Sequence, residues 1–157
     1  ADRREDRRRP AATFGLRALD TSEIRAAVAG STSGAGVPLV IDATSNPSAL
    51  PVALELLAHE GEALVCSWYG TKEVRLPLGR AFHRRRLQIR STQVSTIPSR
   101  LAGRWDVPRR RSAARRLMTE LALKLLATHE VPFERAATAY AALDRGDDGV
   151  VHVALKF

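Results

Sequence analysis

Residues that can bind a ligand lie at or just after the carboxyl ends of three apolar or alternating segments of this chain. The residues are Thr44, Ser67, Trp68, Ser91 and Gln93. In open parallel sheets, ligands bind in the crevice outside the carboxyl ends of the strands. If the three segments are parallel strands, these residues lie along one edge of a sheet and mark a predicted small-molecule site.

The other chemistry-bearing residues form no catalytic or metal-binding pattern. The chain has one cysteine and four scattered histidines, which are Cys66, His59, His83, His129 and His152. No cysteine cluster has zinc-ligand spacing, and neither a Gly-x-Gly-x-x-Gly motif nor a nucleophile elbow occurs. We therefore predict no metal site in this chain and assign no catalytic residue. Cys66 is interpreted as a small buried hydrophobe, and each histidine as structural or solvated.

Three predicted strands would position the ligand site. Residues 37–43 are almost uniformly apolar, which is typical of a parallel strand covered on both faces. An amphipathic helix follows and ends at Glu60, and residues 63–68 form the second apolar strand. Residues 87–91 alternate and predict the third strand. Strand, helix and strand in this order form a βαβ unit, so the fold class is α/β, a Rossmann-like parallel sheet with helices on both faces.

Further elements are expected on either side of these strands. A helix that starts near Arg7 would place Pro10 in its first turn, where the missing N–H costs little. Residues 16–19 predict a short strand, and Thr21 or Ser22 is expected to cap the next helix. The later predicted elements are helices over residues 109–128 and 133–143 and a strand over residues 150–157.

Composition limits the class of protein. The chain has 157 residues, of which 45% are hydrophobic, so one ordinary domain with a real core is expected. A single cysteine excludes an intrachain disulfide. The sequence has no apolar run of membrane-spanning length and no secretory signal at its start, and together these features predict a cytoplasmic protein without membrane contact.

The chain carries a net charge of +8, and its arginines cluster in residues 3–9, 84–86 and 104–116. Such clusters are compatible with nucleic-acid binding, but also with a solvated arginine-rich surface. Few aromatic residues are available to stack on bases, and no known nucleic-acid-binding motif is present. Charge alone leaves both alternatives open.

Four segments together resemble one known family. They are VIDATSNP at residues 40–47, GEALVCSWYG at 61–70, FHRRRLQIRSTQ at 82–93 and THEVPFERA at 128–136. The first three resemble the fourth to sixth strands of the nucleotide-binding domain in the medium-chain dehydrogenase/reductase superfamily, zinc-type alcohol dehydrogenase branch. The fourth resembles the return to the catalytic domain. The pieces RRRL, STQV and RWD are most similar to a subgroup that includes bacteriochlorophyllide dehydrogenases.

The resemblance implies a nicotinamide cofactor, NAD or NADP, and gives the predicted site residues roles. Thr44 would lie near the cofactor ribose, the main chain of Ser67 and Trp68 would face the nicotinamide carboxamide, and Ser91 to Gln93 would close the nicotinamide side. The cofactor supplies the hydride chemistry, and the protein orients it. From the residues alone, Trp68 and Tyr69 can equally be core aromatics.

The start of the chain adds two further cofactor residues by resemblance. In the family, an acidic residue at the end of the second strand binds the adenosine ribose, and a glycine closes the next helix. Asp2 and Gly15 have the same spacing, although Asp2 could also be a solvated terminal charge. Arg3 and its neighbour Arg4 could pair with the 2′-phosphate of NADP, whereas Asp2 would repel it. We favour NAD.

The resemblance also implies that parts of the enzyme are missing from this chain. Residues 1–127 would be a partial nucleotide-binding domain without the first strand and the Gly-x-Gly-x-x-Gly turn, and residues 128–157 the segment that returns to the catalytic domain. Zinc would come only from a missing amino-terminal domain. The strand at 37–43 would then be an open edge, and the strand at 150–157 would lack a partner.

These considerations lead to one predicted function and two alternatives. The chain is interpreted as the cofactor-binding half of an NAD(P)-dependent oxidoreductase that acts on a small alcohol or ketone and is inactive in isolation. Its expected partner is an amino-terminal catalytic half or a second protein chain, in a dimer or another homo- or hetero-oligomer. The alternatives are a non-catalytic Rossmann-like interaction module and a basic nucleic-acid-binding protein.

Overall fold

The computed structural model describes residues 1–157, and the chain divides into two compact units. One unit comprises residues 24–104, and the other comprises residues 1–23 together with residues 105–157. This division by contacts differs from the functional division predicted at residue 128, which stays a prediction. No helix combines the length and the apolar character needed to cross a membrane.

The unit of residues 24–104 is built on a three-stranded parallel sheet. Its strands are β1 (Val37–Asp42), β2 (Leu57–Val65) and β3 (Gln88–Ser91), in the order β1-β2-β3. The predicted Rossmann-like α/β class is confirmed, and so are the parallel direction and adjacency of the three strands. The apolar runs were informative because a parallel strand buries side chains along most of its length.

One face of this sheet packs on helix α3 (Ala49–Leu56). Leu54 from α3 and Ala63 from β2 lie in one buried cluster with exposed fractions of 2% and 0%. On the opposite face, Leu39 and Ile41 of β1 are 46% and 59% exposed. The strand order makes β1 the end strand of this sheet, as predicted, whereas its expected covering on both faces is wrong for these two residues.

Helix α3 ends earlier than predicted. Leu57 is already extended and begins β2, so the expected continuation of the helix to Glu60 is wrong. The guanidinium of Arg85 donates to the carbonyl oxygens of Leu57 at 2.7 Å and Glu55 at 3.3 Å. These donors satisfy carbonyls that a longer helix would have bonded internally. The same unit contains helix α2 (Ile24–Ser31) and short helical turns at Leu78–Phe82 and Ser99–Leu101.

The second unit begins with helix α1 (Glu5–Thr13), and three predictions there are wrong. Because the helix begins at Glu5 and not near Arg7, Pro10 is an interior residue. Residues 16–19 form no strand. The carbonyl oxygen of Leu19 accepts a hydrogen bond from Asp2 N, but no ladder of main-chain hydrogen bonds follows from it. Neither Thr21 nor Ser22 caps α2. The turn before this helix is instead closed by a hydrogen bond from the N–H of Asp20 to the Glu23 carboxylate at 3.0 Å.

Helix α4 (Val107–Glu120) is shorter than predicted. Its amino-terminal residue is capped by Asp106, whose carboxylate accepts from Arg109 N at 2.7 Å, and Pro108 lies in the first turn, where it removes no helical bond. The leucine pattern runs past the end of the helix, but Leu121 is extended and the next residues form a 3-10 turn, Leu123–Leu126.

The carboxyl-terminal strand does have a partner. Strand β5 (Val153–Lys156) pairs in parallel with β4 (His129–Pro132), a strand that the sequence did not predict. The expectation that the last strand lacks a partner is therefore wrong. A 3-10 turn (Phe133–Arg135) and helix α5 (Ala136–Arg145) connect the two strands, and Gly146 ends the helix in the left-handed region at φ 68°.

Candidate functional site

The carboxyl ends of β1, β2 and β3 meet at one edge of the sheet. Asp42, Val65 and Ser91 are consecutive partners in the strand register. The residues that follow these three therefore start from neighbouring positions. The predicted site residues of this unit, which are Thr44, Ser67, Trp68, Ser91 and Gln93, are brought to this edge by the topology.

A buried carboxylate lies at the centre of this edge. Asp42, the last residue of β1, is 4% exposed. Its Oδ1 accepts hydrogen bonds from the N–H of Thr44 at 2.9 Å and from the hydroxyl of the same residue at 2.7 Å. The phenol of Tyr69 donates a hydrogen bond to the other oxygen, Oδ2. A charge removed from water in this way is stable only when it is well bonded, and here donors reach both oxygens.

These contacts shift the pKa of both partners. Burial raises the pKa of Asp42, but the hydrogen bonds from Tyr69 and Thr44 lower it further, so the carboxyl pKa lies below its ordinary value of 3.8. Burial and the bond to the carboxylate raise the pKa of Tyr69 well above its ordinary value of 10.0. The pair is therefore a carboxylate and a neutral phenol over the whole physiological range.

Main-chain and hydroxyl contacts join the loops that follow β1 and β2. The carbonyl oxygen of Asp42 accepts from the N–H groups of Cys66 at 2.8 Å and Ser67 at 3.1 Å. In return, the hydroxyl of Ser67 accepts from Ser45 N at 2.9 Å. The main chain of residues 66 and 67 is thereby fixed against the end of β1.

The loop after β3 is joined to β2 in the same way. Thr92 N donates to the carbonyl oxygen of Val65 at 2.9 Å. Ser91 and Gln93 on either side are exposed. The side-chain oxygen of Gln93 accepts from Ser95 N at 2.7 Å, which leaves the amide N–H groups of Gln93 without a partner in the chain.

Two of the three aromatic or sulfur-containing side chains near this edge are exposed, although the sequence allowed or predicted their burial. Trp68 is 85% exposed, so its interpretation as a core aromatic is wrong. Its main-chain N–H makes no hydrogen bond within the chain. Tyr69 is partly buried and packs against the core cluster. Cys66 is exposed, because β2 ends at Val65, and the prediction of a buried cysteine is wrong.

The two remaining predicted residues, Asp2 and Arg3, belong to the other unit. The Asp2 carboxylate accepts from Arg4 N at 2.9 Å, and Arg3 is exposed. The guanidinium of Arg4 is bonded to the Asp6 carboxylate and to the carbonyl oxygens of Gly146 at 2.5 Å and Asp147 at 2.9 Å. Arg4 is thus held inside its own unit.

No three His, Cys, Asp or Glu residues are grouped so that they could hold a metal ion. The groups at the carboxyl edge are hydroxyl groups, an amide, main-chain donors and the exposed thiol of Cys66. A shallow depression of about 170 Å³ lies at the opposite edge of the sheet, beside the residues that precede the three strands, and is lined by residues that include Arg25, Gly36 and Arg85.

Comparison with known proteins identifies the family. The family model described as zinc-binding dehydrogenase matches residues 1–106. The chain belongs to the zinc-binding dehydrogenase family. No match was found among curated proteins.

Solved structures of dehydrogenases share the fold of this family member. A zinc dependent alcohol dehydrogenase from Streptococcus pneumonia is 19% identical, with a TM-score of 0.78 over 99% of this chain and 43% of that protein. The 2R,3R-butanediol dehydrogenase from Bacillus subtilis is 18% identical, with a TM-score of 0.76 over 99% and 42%. An alcohol dehydrogenase from E. coli CFT073, complexed with NADH, is 18% identical, with a TM-score of 0.75 over 99% and 43%. The chain thus spans less than half the length of these proteins.

Sequence reasoning missed the two residues that organise the carboxyl edge of the sheet, Asp42 and Tyr69. Asp42 is the charged last residue of an otherwise apolar strand, which is a readable signal, because a buried carboxylate requires hydrogen-bond donors. For Tyr69, the sequence pattern equally allows a core aromatic and indicates no hydrogen-bond partner. Its phenol lies 27 positions from its acceptor, and local pattern does not reveal such a contact.

Proposed function

We propose that this chain contributes the cofactor-binding half of an NAD(P)-dependent oxidoreductase that acts on a small alcohol or ketone. The observation that carries the proposal is the parallel edge of β1, β2 and β3, with exposed polar groups around a fully bonded Asp42. Ligands of open parallel sheets bind at this edge. Membership of the zinc-binding dehydrogenase family and the NADH complex of the E. coli relative support a nicotinamide cofactor.

The residues at this edge fit part of such a cofactor. In the proposed arrangement, Thr44 lies near the ribose, the main chain of Ser67 and Trp68 faces the carboxamide, and Ser91 to Gln93 close the nicotinamide side. The unpaired N–H of Trp68 and the free amide N–H groups of Gln93 are donors suited to a carboxamide oxygen. When bound, the cofactor would accept or donate the hydride, while these residues would only orient it.

We further propose that NAD is preferred over NADP, with Asp2 as the group that binds the adenosine ribose. Asp2 is negatively charged and would repel a 2′-phosphate. Of the two arginines that follow it, Arg4 is held by Asp6 and by carbonyl oxygens of residues 146 and 147, which leaves Arg3 as the exposed cation. This arrangement weakens the case for a phosphate-binding arginine pair.

The rest of the enzyme is proposed to come from an amino-terminal catalytic half, in the same polypeptide or a second one. The Gly-x-Gly-x-x-Gly turn that holds the pyrophosphate is not among the segments of this chain. We therefore propose that residues 1–127 form part of the nucleotide-binding domain, that residues 128–157 return to the catalytic domain, and that these 157 residues alone have no dehydrogenase activity. Zinc, if used, would be held by the other half.

A titration of NADH fluorescence tests the cofactor proposal, and the chain offers a matched pair of glutamines for it. Gln93 lies just beyond β3, whereas Gln88 is the first residue of the same strand, at the opposite edge. We expect saturable binding that is weakened about fivefold by Gln93→Met, the effect of about one lost hydrogen bond, and unchanged by Gln88→Met. The absence of saturable binding, or equal effects of both substitutions, would contradict the proposal.

A further inference from the structure

The carboxylate of Asp42 is more extensively bonded than a surface strand end requires. It is 4% exposed at the end of a strand whose other side chains are all apolar. Burial of a carboxylate is unfavourable unless donors replace the lost water. At this position an apolar residue would end the strand without that penalty, so the role of Asp42 is to be sought in the groups that it gathers.

Those groups come from two different loops. Thr44 follows β1, and its N–H and hydroxyl both donate to Oδ1. Tyr69 follows β2, and its phenol donates to Oδ2. The carbonyl oxygen of Asp42 adds the N–H of Ser67 at 3.1 Å. One residue of β1 therefore fixes both polypeptide segments that border the crevice between the first two strands.

Trp68 lies between two of these fixed residues. Ser67 before it is bonded to Asp42 and Ser45, and Tyr69 after it is bonded to Asp42 and packed on the core cluster. Trp68 itself is 85% exposed, and its main-chain N–H has no partner in the chain. A donor held at a fixed position but left unpaired is preorganised for a ligand, because its loss of freedom occurs during folding and not during binding.

We propose that Asp42 is a positioning residue that, through Tyr69 and Thr44, presents the main chain of Trp68 to the cofactor. Asp42 does not touch the cofactor in this proposal. The assignment to a nicotinamide cofactor depends on the proposed function, whereas the immobilisation of Trp68 by Asp42 does not. The two parts can therefore be tested by separate measurements on the same variants.

The first measurement is the fluorescence anisotropy of Trp68 in a Trp105→Phe background, which leaves Trp68 as the single tryptophan. Asp42→Asn keeps the size of the side chain but removes the charge, and Tyr69→Phe removes only the phenol oxygen. Asp144→Asn is the matched control, because Asp144 is exposed on α5. We expect a lower Trp68 anisotropy in the first two variants, with unchanged far-ultraviolet circular dichroism, and no change in the control.

The second measurement is the NADH affinity of the same set. We expect Asp42→Asn and Tyr69→Phe to weaken NADH binding by about fivefold to tenfold, the range of one misplaced hydrogen bond, while Asp144→Asn leaves the affinity unchanged. If Asp42→Asn does not fold, Tyr69→Phe carries the test, since it retains both the carboxylate and the ring.

The outcomes separate the two ideas. A folded variant in which Trp68 anisotropy is unchanged would overturn the positioning role, whatever the affinity for NADH. Reduced anisotropy with unchanged NADH affinity would also overturn it, because the position of Trp68 would then not matter for the ligand. Reduced anisotropy in a protein whose parent does not bind NADH would support the immobilisation by Asp42 and refute the cofactor assignment alone.

Discussion

The contact between Asp42 and Tyr69 should appear as an energetic coupling in a double-mutant cycle on stability. The perturbations are Asp42→Asn, Tyr69→Phe and the two together. Tyr69→Phe removes the hydrogen bond between the two residues and Asp42→Asn weakens it, so the effects of the two substitutions should not add.

The structure sets the expected magnitudes. Tyr69→Phe removes one hydrogen bond to a charged acceptor, which is worth about 1.5–3 kcal/mol, while Asp42 keeps both bonds from Thr44. Asp42→Asn weakens all three bonds and brings an NH₂ group among donors, so we expect a loss of about 2–4 kcal/mol. Release from the penalty of burying a charge keeps this value below the sum of the bonds. The coupling energy should then be about 1–2 kcal/mol.

The assay is urea unfolding at pH 7 and 25 °C for the parent, the two single variants and the double variant, with Tyr140→Phe as the control. Tyr140 is 69% exposed, so its substitution should change the free energy of unfolding by less than about 0.5 kcal/mol. Additivity of the two single effects within about 0.5 kcal/mol, or a Tyr69→Phe variant as stable as the control, would refute the reasoning.

Four further predictions concern packing, backbone, acidity and the open edge. Leu54→Ala, at a residue 2% exposed, should lower the free energy of unfolding by about 2–5 kcal/mol, whereas Leu117→Ala, at 47% exposure, should lower it by less than about 1 kcal/mol; similar losses in urea unfolding would contradict the assigned core. Gly36→Ala should be more destabilising than Gly34→Ala, since both have a positive φ, but only at Gly36 does a Cβ meet backbone, 2.7 Å from Ala58 N. The pKa of Asp42 is lowered in the folded state, so its contribution to stability is present above the ordinary value of 3.8 and lost as the pH falls through the folded value. The urea midpoint should therefore fall between pH 5 and pH 3, and less so in Asp42→Asn. Ile41→Lys should reduce concentration-dependent association measured by sedimentation, because it places a charge on the exposed apolar part of β1, and a parent chain that stays monomeric at high concentration would argue against association through this edge.

Sequence alone predicted the sheet because burial and sequence pattern coincide there. The apolar runs at residues 37–43 and 63–68 correspond to β1 and β2, and the alternating run at 87–91 to β3. The parallel direction of β1 and β2 follows from the helix that connects them, which needs no knowledge of distant contacts. The positions of Thr44, Ser67 and the other edge residues then follow from the strand ends.

Element ends and the organising contacts could not be predicted in this way. Helix α3 ends where the guanidinium of Arg85, 28 positions away, donates a hydrogen bond to the carbonyl oxygen of Leu57. Helix α4 ends at Glu120 although the leucine repeat continues, so the end of this helix cannot be predicted from the repeat. Strand β4 has four residues and two charged or titratable side chains, and it is a strand only because β5 pairs with it. The end of α3 and the formation of β4 thus depend on residues that are distant in sequence.

The most direct test of the central claim is an ¹⁵N–¹H NMR titration of the chain with NADH. We predict saturable shifts of main-chain amides at the carboxyl edge, foremost those of Thr44, Trp68 and Gln93, with little change at the amino-terminal edge around Gly36 and Arg85. Shifts that cluster at Gly36 and Arg85, or a spectrum that NADH leaves unchanged at millimolar concentration, would contradict the assignment of this edge as the cofactor site.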